Sequence, residues 1–186
     1  MKNSKLKAGT VLLAEPFMMD SNFKRSVVLL CEHDNEQGTV GFILNKPLHI
    51  KVNELIQDFP EVEANVYFGG PVATDTVHYI HNVGDLLDGS IQVARGVHWG
   101  GDYEKLKFLI DSKLILPHNI RFFVGYSGWS EGQLIEEMQL KSWIMTEMFA
   151  NYLFKSKAKL LWQQIMFNLG STFSVISQIP ESHSLN

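Results

Sequence analysis

The chain has 186 residues, of which 45% are hydrophobic and 19% charged, and its formal net charge at pH 7 is −4. This composition is typical of a folded globular protein, and the negative charge argues against a surface built as a whole to bind polyanions. No repeat, low-complexity block or Pro/Gly-rich linker divides the sequence. We therefore predict a single domain over residues 1–186, with a core of about 9–169 and a flexible C-terminal tail of about 180–186.

Cysteine content and the N-terminal segment both favour the cytoplasm. The sole cysteine, Cys31, excludes an intramolecular disulfide and lies in the apolar run SVVLLCEH, where a buried, unreactive thiol is expected. In MKNSKLKAGTVLLAEP, three lysines precede an apolar run, but TVLLA is shorter than the roughly 7–15 residues of a secretory signal core. No stretch reaches the ~18 apolar residues of a membrane span. We expect a cytoplasmic protein with no membrane segment.

The first third of the chain is predicted to form strands separated by turns. Residues 10–14, 26–33 and 39–45 are rich in β-branched and apolar residues, which favour strands. The spacer DNEQG between the last two runs supplies Asp, Asn and Gly, which favour tight turns. The pattern predicts a β-hairpin over residues 26–45.

Further strands and four amphipathic helices are predicted in the remainder. Apolar residues three and four apart predict helices at VNELIQDF, DYEKLKFLIDS, EGQLIEEMQLK and AKLLWQQIMFNL. Strands are predicted in ANVYFGGP, VHYIHNV, SIQVARGVHW, NIRFFVG and SWIMTE. Runs of strands followed by helices favour an α+β fold with a largely antiparallel sheet over a doubly wound parallel one.

The segment GYSGWSEGQL, residues 125–134, is the first candidate for a site. It lacks the G-x-S-x-G pattern of a serine-hydrolase elbow because Trp129 stands at the second glycine position, and its glycine spacing matches no phosphate-binding loop. A helix start fits better. Ser130 is predicted to be the N-cap, with Gln133 reaching back to its amide, and Trp129 and Leu134 forming a hydrophobic staple.

Residues 125–128, which precede this cap, leave two interpretations open. A strand that opens through glycines into a helix N-terminus presents amides that can hold an anion or an oxyanion. Alternatively, the glycines only let the backbone turn sharply. The candidate ligand or partner surface comprises His33, Asn45, Lys46, Gly69, Gly70, Gly125, Tyr126, Ser127 and Gly128.

Metal and cofactor chemistry is not predicted, because no complete ligand or cofactor motif is present. His78 and His81 are three apart in a predicted strand, where an odd separation directs side chains to opposite faces. His33 is expected to make structural hydrogen bonds at a hairpin end. We expect no metal, no cofactor and no catalytic residue that the sequence alone identifies.

Several motifs in order resemble the AlgH/YqgE family of bacterial proteins. They are FKRSVVLLCEH, GFILNKP, FGGP and GYSGWSEGQL, with Glu136 and Trp143 following, and the resemblance covers about Gly9 to Leu169. It implies an α+β fold in which a bent, bifurcated sheet forms a pseudo-barrel with helices packed outside. Members are often labelled transcriptional regulators, and the resemblance carries no catalytic or ligand-binding residue onto this chain.

A binding role is favoured over direct DNA recognition or catalysis. The nearest helix-turn-helix candidate, FANYLFKSKAKLLWQQIMF, has a second helix too apolar to enter the major groove, so sequence-specific nucleic-acid binding is not expected. The leading hypothesis is a non-enzymatic binding or regulatory module acting through a small molecule or a protein partner. The alternative is a hydrolase or transferase with a site assembled in space from His33, Lys46 and Ser127.

Overall fold

The computed structural model describes residues 6–180, and this part of the chain forms one ten-stranded sheet with six α-helices. The strands are β1 (Thr10–Ala14), β2 (Val27–Asp34), β3 (Gly38–Ile43), β4 (Pro47–Lys51), β5 (Asn65–Phe68), β6 (Val72–His81), β7 (Ile91–Ala94), β8 (Val97–Trp99), β9 (Ile120–Trp129) and β10 (Trp143–Glu147). The helices are α1 (Val52–Leu55), α2 (Tyr103–Asp111), α3 (Gln133–Gln139), α4 (Asn151–Phe154), α5 (Leu161–Asn168) and α6 (Ser171–Ser177), with 3-10 turns at Pro117–Asn119 and Ala158–Leu160.

The sheet is largely antiparallel, as predicted. Its main path runs in the order β10-β1-β2-β3-β9-β6-β8-β7, and β5 pairs with both β4 and β9. The pairing of β5 with β9 is parallel, whereas the pairings along the main path and that of β4 with β5 are antiparallel. The predicted hairpin over 26–45 is confirmed, since β2 and β3 pair from Val28↔Ile43 to Asp34↔Gly38.

Strand β9 is the point at which the sheet divides. Residues 122–124 pair with β5 on one side and β6 on the other, whereas residues 127–129 pair with β3. One strand therefore belongs to two branches, and the sheet curls into a half-barrel. The bent, bifurcated sheet implied by the family resemblance is confirmed.

The core fills both faces of the sheet. Alternate residues of β1 enter different apolar clusters: Leu13 packs with Trp162 of α5, and Leu12 packs with Leu134 of α3. This follows from the two-residue period of a strand. A third cluster lies under α2, where Leu106 packs against residues of β5, β6 and β9. Helices α5, α3 and α2 thus each cover a different part of the sheet.

One predicted helix is much shorter in the structure. The helix predicted over VNELIQDF is limited to the four residues of α1, because the Asn53 side chain donates to the carbonyls of Phe59 and Pro60 and holds the chain in a loop. Strand β4 and helices α4 and α6 are not among the elements predicted from the sequence. Residues 181–186 of the predicted flexible tail lie outside the described residues. Within residues 6–180, no helix combines the length and the apolar character that crossing a bilayer requires.

Candidate functional site

The hydroxyl of Ser127 is engaged in holding the branch point of the sheet together. Ser127 is fully buried, and its Oγ donates a 3.0 Å hydrogen bond to the carbonyl oxygen of Gly69. The same carbonyl accepts the amide of Ile43 at 2.9 Å, and the Gly69 amide donates to the carbonyl of Val124 at 2.8 Å. Gly69 therefore joins β3 to β9, and Ser127 reinforces that junction.

Gly70 and Gly125 let two backbones approach closely at this junction. A Cβ on Gly70 would lie 2.2 Å from the carbonyl oxygen of Tyr126, and one on Gly125 would lie 2.5 Å from the carbonyl oxygen of Gly70. Both residues also have positive φ, +154° and +65° respectively. Positive φ and close approach are the two demands that glycine alone meets without strain. Gly70 and Gly125 therefore lie close together as expected of one site, but they are buried inside the fold and not exposed to a ligand.

The predicted strand end at Gly125 is wrong. Strand β9 continues to Trp129, because Ser127 and Gly128 pair with β3 and Tyr126 pairs with Val72 of β6. The backbone of residues 125–128 therefore belongs to a sheet and does not lead directly into a helix N-terminus. These amides therefore do not form an anion cradle at a helix start.

The predicted N-cap at Ser130 is also wrong, although part of its hydrogen bonding is present. Helix α3 begins at Gln133, after Gly132 in the left-handed conformation at φ +72°, and no side chain caps it. The reach-back bond exists nevertheless, since the Ser130 amide donates to Gln133 Oε1 at 3.0 Å. Trp129 and Leu134 lie in one apolar cluster, in agreement with the predicted staple contact.

Glu137 anchors α3 to the sheet, a role that the sequence did not reveal. Its Oε2 accepts the indole N–H of Trp129 at 2.9 Å and that of Trp143 at 2.7 Å, and its Oε1 accepts Gln133 Nε2 at 3.0 Å. The neighbouring Glu136, which belongs to the family resemblance, is exposed. One carboxylate therefore joins a helix to strands β9 and β10.

Tyr126 and Gly128 line an open groove of about 390 Å³ beside the paired strands β3 and β9. We call it the β3–β9 groove. The half-buried Tyr126 ring meets the His78 ring edge-on, with 6.0 Å between centroids. A Cβ on Gly128 would lie 3.2 Å from Tyr126 Cε2, so a side chain here would narrow the groove. The remaining lining residues are Glu32, Gln37, Gly38, Thr39, Val40, Val72, Trp129 and Ser130.

Asn45 and Lys46 hold the turn that precedes β2. The Asn45 side chain accepts the amide of Val27 at 2.8 Å and donates to the carbonyl of Arg25 at 2.9 Å. The Lys46 ammonium donates to the carbonyl oxygens of Ser21 and Asn22. Both candidate side chains therefore act on the chain itself.

The residues of the alternative catalytic site have separate partners. His33 Nδ1 lies 2.7 Å from Thr39 Oγ1, as expected for structural hydrogen bonding at the hairpin, and His33 borders a different pocket from the β3–β9 groove. It stands on β2, two strands from β9, which separates its Cα from that of Ser127 by about 10 Å or more. With the Ser127 hydroxyl buried, the geometry gives no support to acyl or group transfer by His33, Lys46 and Ser127.

Burial governs the titratable groups in the core. The pKa of the Cys31 thiol is raised strongly because the side chain is buried, so it stays protonated and unreactive. Burial lowers the pKa of His81, whose Nε2 lies 2.9 Å from the Gly100 carbonyl oxygen and whose Nδ1 accepts the amide of Val83 at 3.3 Å. Within residues 6–180, no group of three or more His, Cys, Asp or Glu side chains is arranged to hold a metal ion.

Arg121 is a second residue that sequence reasoning missed. It lies in the apolar segment IRFFV, and only 9% of its surface is exposed. Arginine is almost never buried without a partner, so an arginine in the middle of an apolar strand indicates a buried polar site that can be recognised from the sequence.

The sequence and the fold both resemble known bacterial proteins. A UPF0301 protein of Chlorobium limicola is 44% identical over 182 residues, which is 98% of this chain and 97% of that relative. A UPF0301 protein of Cytophaga hutchinsonii is 38% identical over 182 residues, covering 97% of this chain and 100% of the relative.

Two solved structures share the fold. The solution structure of the AlgH protein from Pseudomonas aeruginosa matches with a TM-score of 0.74 and 25% identity, over 97% of this chain and 99% of that one. A crystal structure of a Corynebacterium diphtheriae protein matches with a TM-score of 0.79 over 96% of this chain and 95% of that one. Because the two sequences are only 22% identical, this match shows a similarity of fold and nothing further.

A family model described as AlgH-like matches residues 11–174, which is most of the chain. The Chlorobium and Cytophaga relatives align over nearly their whole length at 44% and 38% identity. The chain belongs to the AlgH-like family.

Proposed function

We propose that this protein is a non-enzymatic cytoplasmic binding module that holds a small molecule or a short segment of a partner protein in the β3–β9 groove. The observation that carries the proposal is the position of Gly128. It is exposed between Ser127 and Trp129 on β9, and without a side chain it leaves the groove open beside Tyr126.

The chemistry of the groove suits recognition more than reaction. Tyr126 offers an aromatic face, while Gln37, Ser130 and the exposed carboxylate of Glu32 offer polar contacts around it. Pockets that combine an aromatic surface with a few polar groups are typical binding sites. The groove is also open along one side, which admits an extended segment of a protein as readily as a small molecule.

Any effect on transcription is proposed to be indirect. The helix that would have to read DNA, α5, turns Leu161, Trp162, Ile165 and Met166 into the core. A recognition helix needs polar and basic side chains free to reach base edges. A regulatory role for this chain would therefore act through the bound partner and not through the major groove.

The test fills the groove with a side chain. Gly128→Val places a β-branched residue, which strands tolerate, against the Tyr126 ring, since its Cβ alone would lie 3.2 Å from Tyr126 Cε2, and its two methyl groups would narrow the groove. Gln92→Val is the matched control, because Gln92 is exposed on β7 and outside the groove. Immobilised wild-type protein and both variants are incubated with bacterial lysate, and the retained proteins are identified by mass spectrometry. A metabolite panel is screened by thermal shift in parallel.

The expected result is a partner or metabolite that binds the wild type and Gln92→Val but not Gly128→Val, with circular dichroism showing that both variants fold. Retention that is equal on all three proteins contradicts the assignment to this groove. If no protein is retained reproducibly and no metabolite changes the melting temperature, the binding role itself is wrong.

A further inference from the structure

Arg121 carries a buried positive charge without a carboxylate partner. Its guanidinium donates to the carbonyl oxygens of Leu44, at 2.9 Å, and Leu153, and its Cζ lies 4.3 Å from the centre of the Tyr67 ring. Among the described residues, no carboxylate oxygen lies within 4.0 Å of the guanidinium. Arginine stays protonated in proteins, so the charge remains despite burial.

The hydrogen-bonding capacity of this guanidinium is not exhausted. It has five N–H donors in a planar fork, and its hydrogen bonds within residues 6–180 go to two carbonyl oxygens. Neutral carbonyls compensate a buried cation less well than an anion does, because an anion adds the attraction of a full opposite charge to its hydrogen bonds. The arrangement leaves both donors and charge for a further group.

Arg121 borders a pocket of about 150 Å³ that is lined mostly by polar atoms. Asn65 from β5 and His118 from the 3-10 turn also line it, and neither side chain makes a hydrogen bond within the described part of the chain. Glu63 lies at the same pocket, but its side chain is 80% exposed and its carboxylate pairs with Lys51 at 3.2 Å. The nearby negative charge is therefore already paired.

We propose that this pocket binds a small oxyanion, such as inorganic phosphate or the carboxylate of a metabolite, with the Arg121 guanidinium as its charged anchor. Asn65 and His118 supply additional donors at the mouth. The planar fork of arginine matches two oxygens of a phosphate or a carboxylate. The site is separate from the β3–β9 groove, with which it shares no lining residue.

The test introduces a competing carboxylate at the pocket. Asn65→Asp places a negative charge at an exposed lining position, so that it repels an incoming anion and pairs with Arg121 itself. Gln92→Glu adds the same charge on exposed β7, away from the pocket. Sodium phosphate and sodium acetate are titrated in the low millimolar range by isothermal calorimetry, against sodium chloride at matched ionic strength.

Saturable binding of phosphate or acetate by the wild type and Gln92→Glu, weakened about ten-fold or more in Asn65→Asp, is the expected result. The anion that binds identifies which oxyanion class the pocket prefers. Arg121→Met is measured as well if circular dichroism shows that it folds, and binding should then be lost. Absence of saturable binding of either anion to the wild type, or equal affinity in Asn65→Asp and Gln92→Glu, overturns the proposal.

Discussion

The Ser127 hydroxyl and the Gly69 carbonyl oxygen, 58 residues apart in the chain, are joined by a buried 3.0 Å hydrogen bond at the point where the sheet divides. This contact gives the serine of GYSG a structural task. It also directs the hydroxyl hydrogen at a carbonyl oxygen, whereas a nucleophilic serine needs that hydrogen directed at a base.

Ser127→Ala is expected to reduce the free energy of unfolding by about 1 kcal/mol, the usual value for one hydrogen bond, because Gly69 keeps the Ile43 amide as a second donor. Urea unfolding monitored by fluorescence gives this quantity. Exposed Ser130→Ala, the control, should change stability by less than about 0.5 kcal/mol. A fluorophosphonate probe should label neither serine, and labelling of Ser127 would show that the hydroxyl is reactive after all.

Gly70→Ala is expected to be severely destabilising, by about 4 kcal/mol or more, because the new Cβ would lie 2.2 Å from backbone atoms of Tyr126. Gly132→Ala is the matched control. Gly132 also has positive φ, +72°, but a Cβ there meets nothing within 4 Å, so only the left-handed backbone contributes, about 1–2 kcal/mol. Urea midpoints, and soluble yield if Gly70→Ala does not fold, distinguish the two. Similar losses would mean that close approach at Gly70 is unimportant.

Glu137→Gln is expected to weaken the attachment of α3 to the sheet. The two indole N–H groups that meet at Oε2 lose a charged acceptor, and a hydrogen bond to a charged group contributes about 1.5–3 kcal/mol. Thermal unfolding and the tryptophan emission spectrum report this change, since Trp129 and Trp143 are the donors. Glu136→Gln alters the adjacent exposed carboxylate and should leave both measurements unchanged. An equal effect of the two variants would indicate a general charge effect on α3.

Stability is expected to fall in mild acid because of His81. Burial lowers the pKa of this imidazole below its ordinary value of 6.5, and the nearby His98 lowers it further. The unfolded chain therefore binds more protons than the folded one, and folding free energy is lost as the pH falls below 6.5. Protonation would also remove the acceptor for the Val83 amide.

Urea unfolding at pH values above and below 6.5 checks this expectation. His81→Gln should show a smaller change in stability between the two conditions than the wild type, whatever its absolute stability. Exposed His49→Gln should behave as the wild type does. If His81→Gln retains the full pH dependence, another group is responsible. Burial also lowers the pKa of His78, so a smaller residual dependence is expected in the His81 variant.

Periodicity in the sequence was sufficient to predict most elements but not the branch point. The hairpin of β2 and β3, helix α2 and strand β10 follow from local patterns of apolar residues. The continuation of β9 through Gly125 does not, because glycine near a strand end ordinarily signals a turn. What keeps the strand paired beyond Gly125 is its contact with β3, with Val72 and with the Gly69–Gly70 backbone, and no local window contains these contacts between distant segments.

In the candidate site, too, some features follow from local sequence patterns and others only from contacts between distant segments. Gly69, Gly70, Gly125 and Ser127 do converge, but the reason is backbone packing and not ligand chemistry. Tyr126 and Gly128 reach the groove because alternate residues of a strand point to opposite faces. Arg121 could have been recognised from the sequence, because it is a charged residue among apolar neighbours. Glu137 could not be distinguished from Glu136 in the sequence, because only the fold brings the indoles of Trp129 and Trp143 to its carboxylate.

Strand β9 carries both branches of the sheet, since residues 127–129 pair with β3 and residues 122–124 pair with β5 and β6, so unfolding of β9 would open both branches. Native-state hydrogen exchange should therefore show the amides of β9 among the slowest, opening in a single global event with those of β3 and β6. The segments that meet there are distant in sequence, so loop closure must precede their pairing, and this domain should fold slowly for its size. The shared strand makes the two branches one cooperative unit.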